Sequence, residues 1–454
     1  MLRSAIKIAL CGVVAGIIPV VLSAEESVLP GSTTAVIEKK NLSRVDDFVV
    51  VRGEKLKHSL NNDITRFSLF ANIEGKFQPV PFQVDEINPE GEWVLTQVPP
   101  EAKKSVKPDR DDDDGNLDGN DELAFMIRDA GDRLSFNGLP AGVESVDEIT
   151  LRDPVDNGKA WVYLLSFREN PPLSKKDYVE YKLPENQVVT RNYVLGFDPR
   201  MSIAPSLVSV QGSPNLIDRM KIRFSSKIMG IPFGFDESNL VSELSLYKDG
   251  PIRVVRRVRS AIQFNRIFRT PSAAVENVYY DNTMLIPIRV RLPISLKSFS
   301  SIISYARVRG AVDMQNAKGW KIRLDTDPRW MSVDGKMDEV EKNIKGEGMS
   351  WFLISGPEGA FMFRLVLNRK PDGSFQKSPI RTRQYYVDDD NSLDPPESVP
   401  GQSPQVGWWM EGLTDLEKGT LYFFPIMYMI KNYTEGAEKN YLKILDQPIE
   451  VMVN

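Results

Sequence analysis

The sequence contains one histidine and one cysteine in 454 residues. Because His58 is the only histidine, a Ser-His-Asp triad and most zinc, haem and copper sites are disfavoured. Cys11 lies in an apolar N-terminal run, so the mature chain is predicted to have no cysteine and therefore no disulfide, iron–sulfur cluster or thiol nucleophile. Any chemistry is expected to use carboxylates, Lys, Arg, Tyr or a hard cation.

The N-terminus has the pattern of a signal peptide. Arg3 and Lys7 precede the apolar run 8–22, which is too short to span a membrane comfortably, and small residues follow at 23–24. We therefore predict a signal peptide at 1–24, with no transmembrane segment after cleavage. Loss of the two cations changes the formal charge from −5 to −7, which disfavours a nucleic-acid partner. The protein is expected in the periplasm, associated with the outer membrane, or outside the cell.

Short runs of β-branched and aromatic residues, separated by turn residues, recur along the chain. This pattern predicts a mainly β fold, a β-sandwich or extended antiparallel sheets, in two packed domains at 25–168 and 173–454. Among others, strands are predicted at 48–52, 65–71, 121–127, 161–167 and 444–453. Helical periodicity is scarce, and 338–344 is the best candidate for a short helix.

An acidic loop precedes the strand predicted at 121–127. Five of the six residues from Asp109 to Asp114 are carboxylates. With Gly115 at the sixth position of an EF-hand-type loop, the spacing predicts a Ca²⁺ site and tucks Leu117 inward. The predicted ligands are Asp112, Asp114, the carbonyl oxygen of Asn116, Asp118 and Asp121. The first position is Arg110, which cannot bind a cation, so Asp109 or Asp111 must replace it. A solvated acidic loop is the alternative.

A second acidic loop repeats this order near the C-terminus. A shift of the first loop by 276 positions, as from Asp112 to Asp388, aligns the acidic residues and puts Asn391 at the turn. Asn tolerates a left-handed backbone nearly as well as Gly, so the turn is retained. The predicted ligands of this second metal loop are Asp388, Asp390, Asp394 and Glu397. The two loops are either independent sites or share one ion, and a plain surface turn is the alternative.

Two motifs carry a resemblance to known proteins. The segment 79–86 reads PVPFQVDE, and the segments 114–126 and 129–131 read DGNLDGNDELAFM and DAG. Together they resemble a signature of exported bacterial β-rich proteins with a galactose-mutarotase-like β-sandwich. The resemblance covers roughly residues 45–132. It implies a secreted sandwich near carbohydrate, and it supplies no catalytic residue.

Arginines and tryptophans provide candidate ligand-binding residues. On a strand, Arg253, Arg257 and Arg259 share one face and form a platform for an anion or acidic sugar, while Arg256 lies opposite. The alternative is a charged, exposed sheet edge. Consecutive tryptophans point to opposite faces, so at most one of the pair at 408–409 can stack on a sugar. Trp408 is the candidate, and core packing is the alternative.

These observations favour an exported, calcium-stabilised β-protein with a structural role or a glycan- or partner-binding role in the cell envelope. The alternative is a carbohydrate-active enzyme, a polysaccharide lyase or a glycoside hydrolase on the same scaffold. No compact catalytic motif selects a pair of acidic residues, which favours the first function. The candidate acids and bases for the second are Asp85, Glu86, Asp236, Glu237, Glu243, Glu411, Tyr279 and Tyr280, with Arg257 to neutralise a sugar acid.

Overall fold

The structure is a computed structural model that describes residues 38–110, 115–135, 139–210, 212–264, 268–344, 346–369, 374–394 and 404–454. The predicted signal peptide lies outside the described residues. Within them the chain forms twenty-seven strands and two α-helices, so the prediction of a mainly β fold is confirmed. No helix in the described ranges is long and apolar enough to cross a membrane.

The strands have the following bounds. Up to residue 167 they are β1 Phe48–Arg52, β2 Phe67–Ile73, β3 Lys76–Val80, β4 Gln83–Asp85, β5 Glu122–Met126, β6 Val143–Arg152 and β7 Lys159–Phe167. The next are β8 Val179–Lys182, β9 Gln187–Thr190, β10 Tyr193–Gly196, β11 Leu207–Val210, β12 Ile217–Ile228, β13 Ile231–Phe235, β14 Leu240–Asp249, β15 Val254–Ile262, β16 Ala273–Tyr279 and β17 Thr283–Leu285. The last are β18 Ile288–Leu292, β19 Ile303–Met314, β20 Lys321–Leu324, β21 Asp327–Ser332, β22 Trp351–Gly356, β23 Gly359–Leu367, β24 Arg381–Val387, β25 Gln405–Glu411, β26 Gly419–Ile430 and β27 Glu450–Val453.

In the residues that the structure describes, the strands up to residue 167 form two antiparallel sheets, one of them completed by β27. One has the order β27-β6-β7-β2-β3, and the other has the order β1-β5-β4. Both sheets contribute to one apolar core, in which Leu69, Phe125 and Leu164 are fully buried. The strands alternate apolar and polar residues only weakly because β2, β5 and β7 are buried along almost their whole length.

The C-terminal segment differs from its prediction as a continuous strand over 444–453. Helix α2 spans Glu438–Asp446 and buries Tyr441, Ile444 and Leu445 at helical spacing. The prediction was wrong for 444–446 because those apolar residues belong to a helix face. The remaining strand, β27, pairs with β6, so the end of the chain completes a sheet of the first domain.

The second part of the chain contains three sheets. The largest follows the order β14-β15-β16-β17-β26-β23-β22-β20-β21, with β18 also paired to β26. A five-stranded sheet has the order β13-β12-β19-β25-β24, and a four-stranded sheet has the order β11-β10-β9-β8. Residues of all three contribute to one core cluster. The only α-helix described before α2 is α1, Glu339–Lys342, which confirms the short helix predicted at 338–344.

Candidate functional site

The two signature motifs meet at a buried arginine that directly precedes β15. Strands β4 and β5 pair so that Asp85 lies opposite Glu122. Arg253, directly before β15, donates to a carboxylate oxygen of each of them, at 2.7 Å in both cases. All three residues are more than nine-tenths buried. We call this group the charged joint; its members are Gln83, Asp85, Glu122, Lys248, Arg253 and Tyr280.

The charges of the joint compensate one another. Burial raises the pKa of Asp85, but Lys248 and Arg253 outweigh burial and lower the pKa to about 2. Lys248 lies 2.7 Å from the second oxygen of Asp85. The remaining guanidinium nitrogen of Arg253 donates to the Tyr280 hydroxyl at 3.0 Å. The joint therefore ties β4 and β5 to the start of β15, and its charged groups are paired with one another.

The arginines predicted as an anion platform are mostly buried. Strand β15 lies between β14 and β16, so it is a central strand, and the alternative of an exposed sheet edge is wrong for Arg253, Arg256 and Arg257. Arg257 pairs with Glu276 at 2.6 Å and Asp109 at 2.5 Å. Arg256 is fully buried, with its guanidinium 3.7 Å from the centre of the Phe197 ring. Only Arg259 of the three predicted residues is exposed.

Part of the predicted calcium loop lies outside the described residues, namely Asp112 and Asp114. Of the others, Asp121 is buried, and its two oxygens accept the backbone N–H groups of Ile87 and Asp118, each at 2.9 Å. Burial, the largest cause, together with the nearby Asp118 and Glu86 raises the pKa of Asp121 to about 7. A cation would relieve this repulsion.

Three more residues of the predicted calcium loop, Leu117, Asn116 and Asp109, are described by the structure. Leu117 is buried, as the spacing predicts, and the Asn116 side chain is exposed. Asp109 is already engaged, because it receives N–H groups from Leu95 and Arg257. Among the described residues no three metal-binding side chains converge. Calcium binding by this loop stays a prediction.

The second acidic loop places its predicted ligands in different surroundings. Asp388 is buried and accepts the backbone N–H groups of Asp334 and Gly335, at 2.9 and 3.1 Å. Asp394 instead faces three cationic side chains, which would compete with a metal ion for its oxygens. These are Lys221, Arg223 and Arg309, at 3.1, 2.5 and 2.7 Å. Asp390 contacts Gly335 through its backbone N–H, and Glu397 lies outside the described residues. Calcium at this second loop also stays a prediction.

The candidate catalytic acids are spread over separate contacts. Asp85 belongs to the charged joint, and Glu86 accepts the Gly115 N–H. The other four pair or cap elsewhere: Glu237 with Arg223, Glu243 with Lys103, Glu411 with Arg383, and Asp236 at a helical turn. Tyr279 and Tyr280 bond to Arg256 and Arg253. These contacts bring together no pair of the candidate carboxylates.

An apolar cavity, which we call the slot, lies among residues 203–427. It lies between the inner faces of β12, β19 and β25 on one side and β17, β18, β23 and β26 on the other, with a volume of about 570 Å³. Along β12 the inward residues alternate from Met220 through Ile222 and Phe224 to Ile228. Eight residues of strand correspond to about 26 Å. The slot therefore has the length of an extended chain molecule.

The walls of the slot are apolar but remain accessible. Ile286, Ile288 and Val290 line it from β18 and the segment before it, and each is only half-buried although it lies between two sheets. Burial decreases from one end to the other: Met427 is 2% exposed, whereas Phe233 is 42% exposed. The slot therefore opens at the end where Phe233 lies. Protein interiors rarely leave such space unfilled.

Gly310 widens the slot at its middle. It lies on β19 between Ile222 of β12 and Trp408 of β25. Its backbone is outside the left-handed region, and a Cβ added there would meet no atom within 4 Å. By contrast, a Cβ at Gly407 would lie 2.0 Å from the Gly310 carbonyl oxygen. No backbone requirement explains the glycine at 310, and its effect is to leave room.

Polar groups are scarce in the slot. Ser226 lines it, but its hydroxyl donates to the Tyr305 carbonyl oxygen at 2.9 Å. The head groups of Lys221 and Arg364 are engaged with Asp313 and Asp446. A sugar needs several directed polar partners, and the described wall offers few, among them the Trp408 indole N–H, which has no hydrogen-bond partner.

The two tryptophans lie on opposite faces of β25, as predicted. Trp408 lines the slot, is 8% exposed and packs 4.9 Å from the Phe352 ring, which supports the core-packing alternative. Trp409 is half-buried on the outer face, with the Arg307 guanidinium 4.1 Å from its ring. The predicted sugar platform at Trp408 is therefore not an open surface. The slot itself was missed by the sequence reasoning.

No family model matches the sequence, and no curated protein matches it. Among solved structures, the chain is similar to an alpha-mannosidase from Enterococcus faecalis V583, at 6% identity and a TM-score of 0.45, over 92% of this chain and 45% of that one. It is also similar to a protein in glycosyl hydrolase family 38 from Enterococcus faecalis, at 9% identity and a TM-score of 0.38, over 88% and 49%. This chain spans about half the length of these two proteins.

Proposed function

We propose that this protein binds the hydrocarbon part of an amphiphilic molecule in the slot, without catalysing a reaction on it. One observation carries the proposal: two sheets whose inner faces are apolar stand apart over about 26 Å and leave a cavity of about 570 Å³. Cavities of this volume are typical of ligand sites. An apolar ligand there gains roughly 25 cal/mol for each Å² of apolar surface removed from water.

An acyl chain fits the slot better than a compact apolar ligand. Met220, Ile222 and Ile228 contribute successive contacts along one line, and the slot opens at one end. A chain can lie along this line and keep its polar head at the open end, where water is present. On the described walls the Trp408 indole N–H has no hydrogen-bond partner, and one such donor is too few for a fully enclosed polar ligand.

The roles predicted from the sequence remain proposals beside this one. Calcium would stabilise the first domain through the loop at 109–121, and a glycan or an envelope protein would use another surface. The half-buried aromatic face formed by Tyr385, Trp409 and Arg307 is the surface that favours a sugar, because ring and guanidinium planes there remain partly open. If residues 1–24 act as a signal peptide, the ligand is met outside the cytoplasm.

The proposal can be tested by a substitution that fills the slot with a larger side chain. Gly310→Phe adds a ring where a Cβ has no neighbour, so the substitution occupies the space that the ligand needs. Titration with cis-parinaric acid, a fluorescent fatty acid, should give saturable binding to the wild-type protein. The Gly310→Phe variant should bind at least tenfold more weakly.

Gly310→Ala is the matched control. It removes the same glycine but leaves most of the slot volume, so its affinity should stay within about threefold of wild type. Mass spectrometry of an organic extract from the purified wild-type protein should also reveal a stoichiometric amphiphile that the Phe variant lacks. Equal affinities of wild type and Gly310→Phe would refute the proposal, as would the absence of any saturable binding.

A further inference from the structure

Apolar side chains surround the open end of the slot and are exposed to solvent. At the tip of the β12–β13 hairpin, Met229 is 76% exposed and Ile231 is 70% exposed. Further apolar residues lie beside the tip, since the Met229 N–H donates to the Ile302 carbonyl oxygen at 2.7 Å. We call this region the rim; its members are Met229, Ile231, Phe233, Phe268, Phe299, Ile302 and Tyr305, all between 38% and 76% exposed. Exposed apolar clusters of this kind mark interaction sites.

Met229 occupies a backbone position that favours other residues. The hairpin turn consists of Met229 and Gly230, and both have positive φ, 50° and 83°. Two-residue turns of this type favour Asn-Gly because Asn tolerates the left-handed backbone. Seven of the nine non-glycine residues described with positive φ are indeed Asn. A solvent-exposed Met at this turn therefore costs the fold some stability, and a contact outside the chain is one role that would offset this cost.

The rim is continuous with the slot. Phe233 lines the slot and belongs to the rim, and its ring lies 5.8 Å from that of Phe264, which is 5.7 Å from the ring of Phe268. On β19, Ile303 lines the slot directly after Ile302 of the rim. An apolar molecule can therefore pass from the rim into the slot along one apolar surface.

The charge around the rim is positive although the whole chain is acidic. No acidic residue occurs in 219–235 or in 282–312, whereas these segments contain eight Arg and Lys residues besides the buried Lys221. Two of the eight, Arg223 and Arg309, are also buried and pair with Asp394. Lys227 and Arg291 are exposed cations of these segments. Lys297, in the second segment, pairs with Glu417 at 3.3 Å. Apolar tips flanked by cations match a bilayer with anionic headgroups.

We infer that the rim docks onto a phospholipid bilayer that carries anionic headgroups, with Met229 and Ile231 inserted among the acyl chains. This inference rests on the proposed function, because docking places the open end of the slot against the source of its ligand. The cations contact the headgroups, and the slot receives or delivers a chain without exposing it to water. No covalent step is involved.

The test uses Met229→Asn, which the turn geometry favours, so that loss of binding cannot be attributed to unfolding. Wild-type protein should co-sediment with vesicles of phosphatidylglycerol and phosphatidylethanolamine, and less with pure phosphatidylcholine vesicles or in high salt. The partition coefficient of Met229→Asn should fall about tenfold, because one buried apolar side chain is lost. Its melting temperature should equal or exceed that of wild type.

Val155→Asp is the matched control, because Val155 is an apolar residue, 48% exposed, in the β6–β7 hairpin turn of the first domain. It should bind vesicles like wild type. Wild-type protein that stays in the supernatant, or an equal loss in Met229→Asn and Val155→Asp, overturns the inference. So does a lipid-free dimer that Met229→Asn dissociates without any vesicle binding, since the rim is then a contact between copies.

The lipid-free titration with cis-parinaric acid separates this inference from the proposed function. Met229→Asn should bind the fatty acid with wild-type affinity while it loses the vesicles. If wild type binds the fatty acid but no vesicle, the docking inference fails and the slot proposal stands. If the fatty acid does not bind at all, the slot proposal fails whatever the vesicles show.

Discussion

The charged joint and the slot are packed differently: the groups of the joint are paired with one another, whereas the slot contains unfilled space. At the joint, Arg253, Asp85 and Glu122 are buried, and each charge has an opposite charge within 2.7 Å. In the slot, apolar side chains face each other across a space that the chain does not fill. Buried charges without partners are costly, so the joint must be complete within the protein. A space between apolar walls leaves no charge unpaired, so a ligand instead of the chain can fill the slot.

The difference indicates which conspicuous residues serve the fold and which serve a ligand. The motif residues Gln83, Asp85 and Glu122 stand out in the sequence, yet they hold β4 and β5 against the start of β15. The slot residues, such as Ile222 and Ile288, resemble any alternating core pattern. Distinctive polar motifs are therefore weaker guides to the ligand here than the spacing between two ordinary apolar faces.

The largest expected effect concerns the joint. Arg253→Met leaves Asp85 and Glu122 buried with only Lys248 as a compensating charge, so the free energy of unfolding should fall by about 3–5 kcal/mol. Urea denaturation at pH 7 measures this change. Arg259→Met, an exposed arginine on the same strand, should change the free energy by less than about 0.5 kcal/mol.

The pH dependence provides a second readout of the same substitution. The folded-state pKa of Asp85 is about 2, below its ordinary value of 3.8, so its contribution to stability is present above pH 3.8 and is lost as the pH falls towards 2. Without Arg253 this pKa should rise, and the difference between wild type and variant should shrink in acid. A constant difference from pH 7 to pH 2 would contradict the electrostatic account of the joint.

A smaller effect is expected at the first acidic loop. If calcium binds there, a chelator should lower the melting temperature and excess calcium should restore it. At calcium a hundredfold above its dissociation constant, the stabilisation is about 2.7 kcal/mol. Asp114→Ala should abolish the response, whereas Gly310→Ala should retain it, because the slot contributes no ligand. Identical melting of wild type with chelator and with calcium would exclude the site.

The sequence predicted local structure better than the relation between sheets. Strand β1 has the predicted bounds, and the opposite facing of Trp408 and Trp409 follows from the two-residue period alone. The central position of β15 was missed, because an arginine-rich strand resembles an edge until its neighbours are known. The slot was missed because its width depends on how far apart two sheets stand, which no alternation encodes. Two features of the sequence could have indicated the slot: residues 282–312 contain no acidic residue, and residue 310 is a glycine.

The smallest expected effect completes the comparison between the joint and the slot. Gly310→Phe fills empty space without a backbone clash, so it should stabilise the lipid-free protein by about 0.5–2 kcal/mol, the range typical of cavity-filling changes. Thermal denaturation of delipidated protein measures the gain. Gly407→Phe is the contrasting variant, because a Cβ there would lie 2.0 Å from a backbone oxygen, and it should destabilise. Destabilisation of the delipidated protein by Gly310→Phe would indicate instead that the slot is closed in solution and has no room for the ring. A gain in stability together with loss of fatty-acid binding would instead show that the chain forgoes stability to keep this space open.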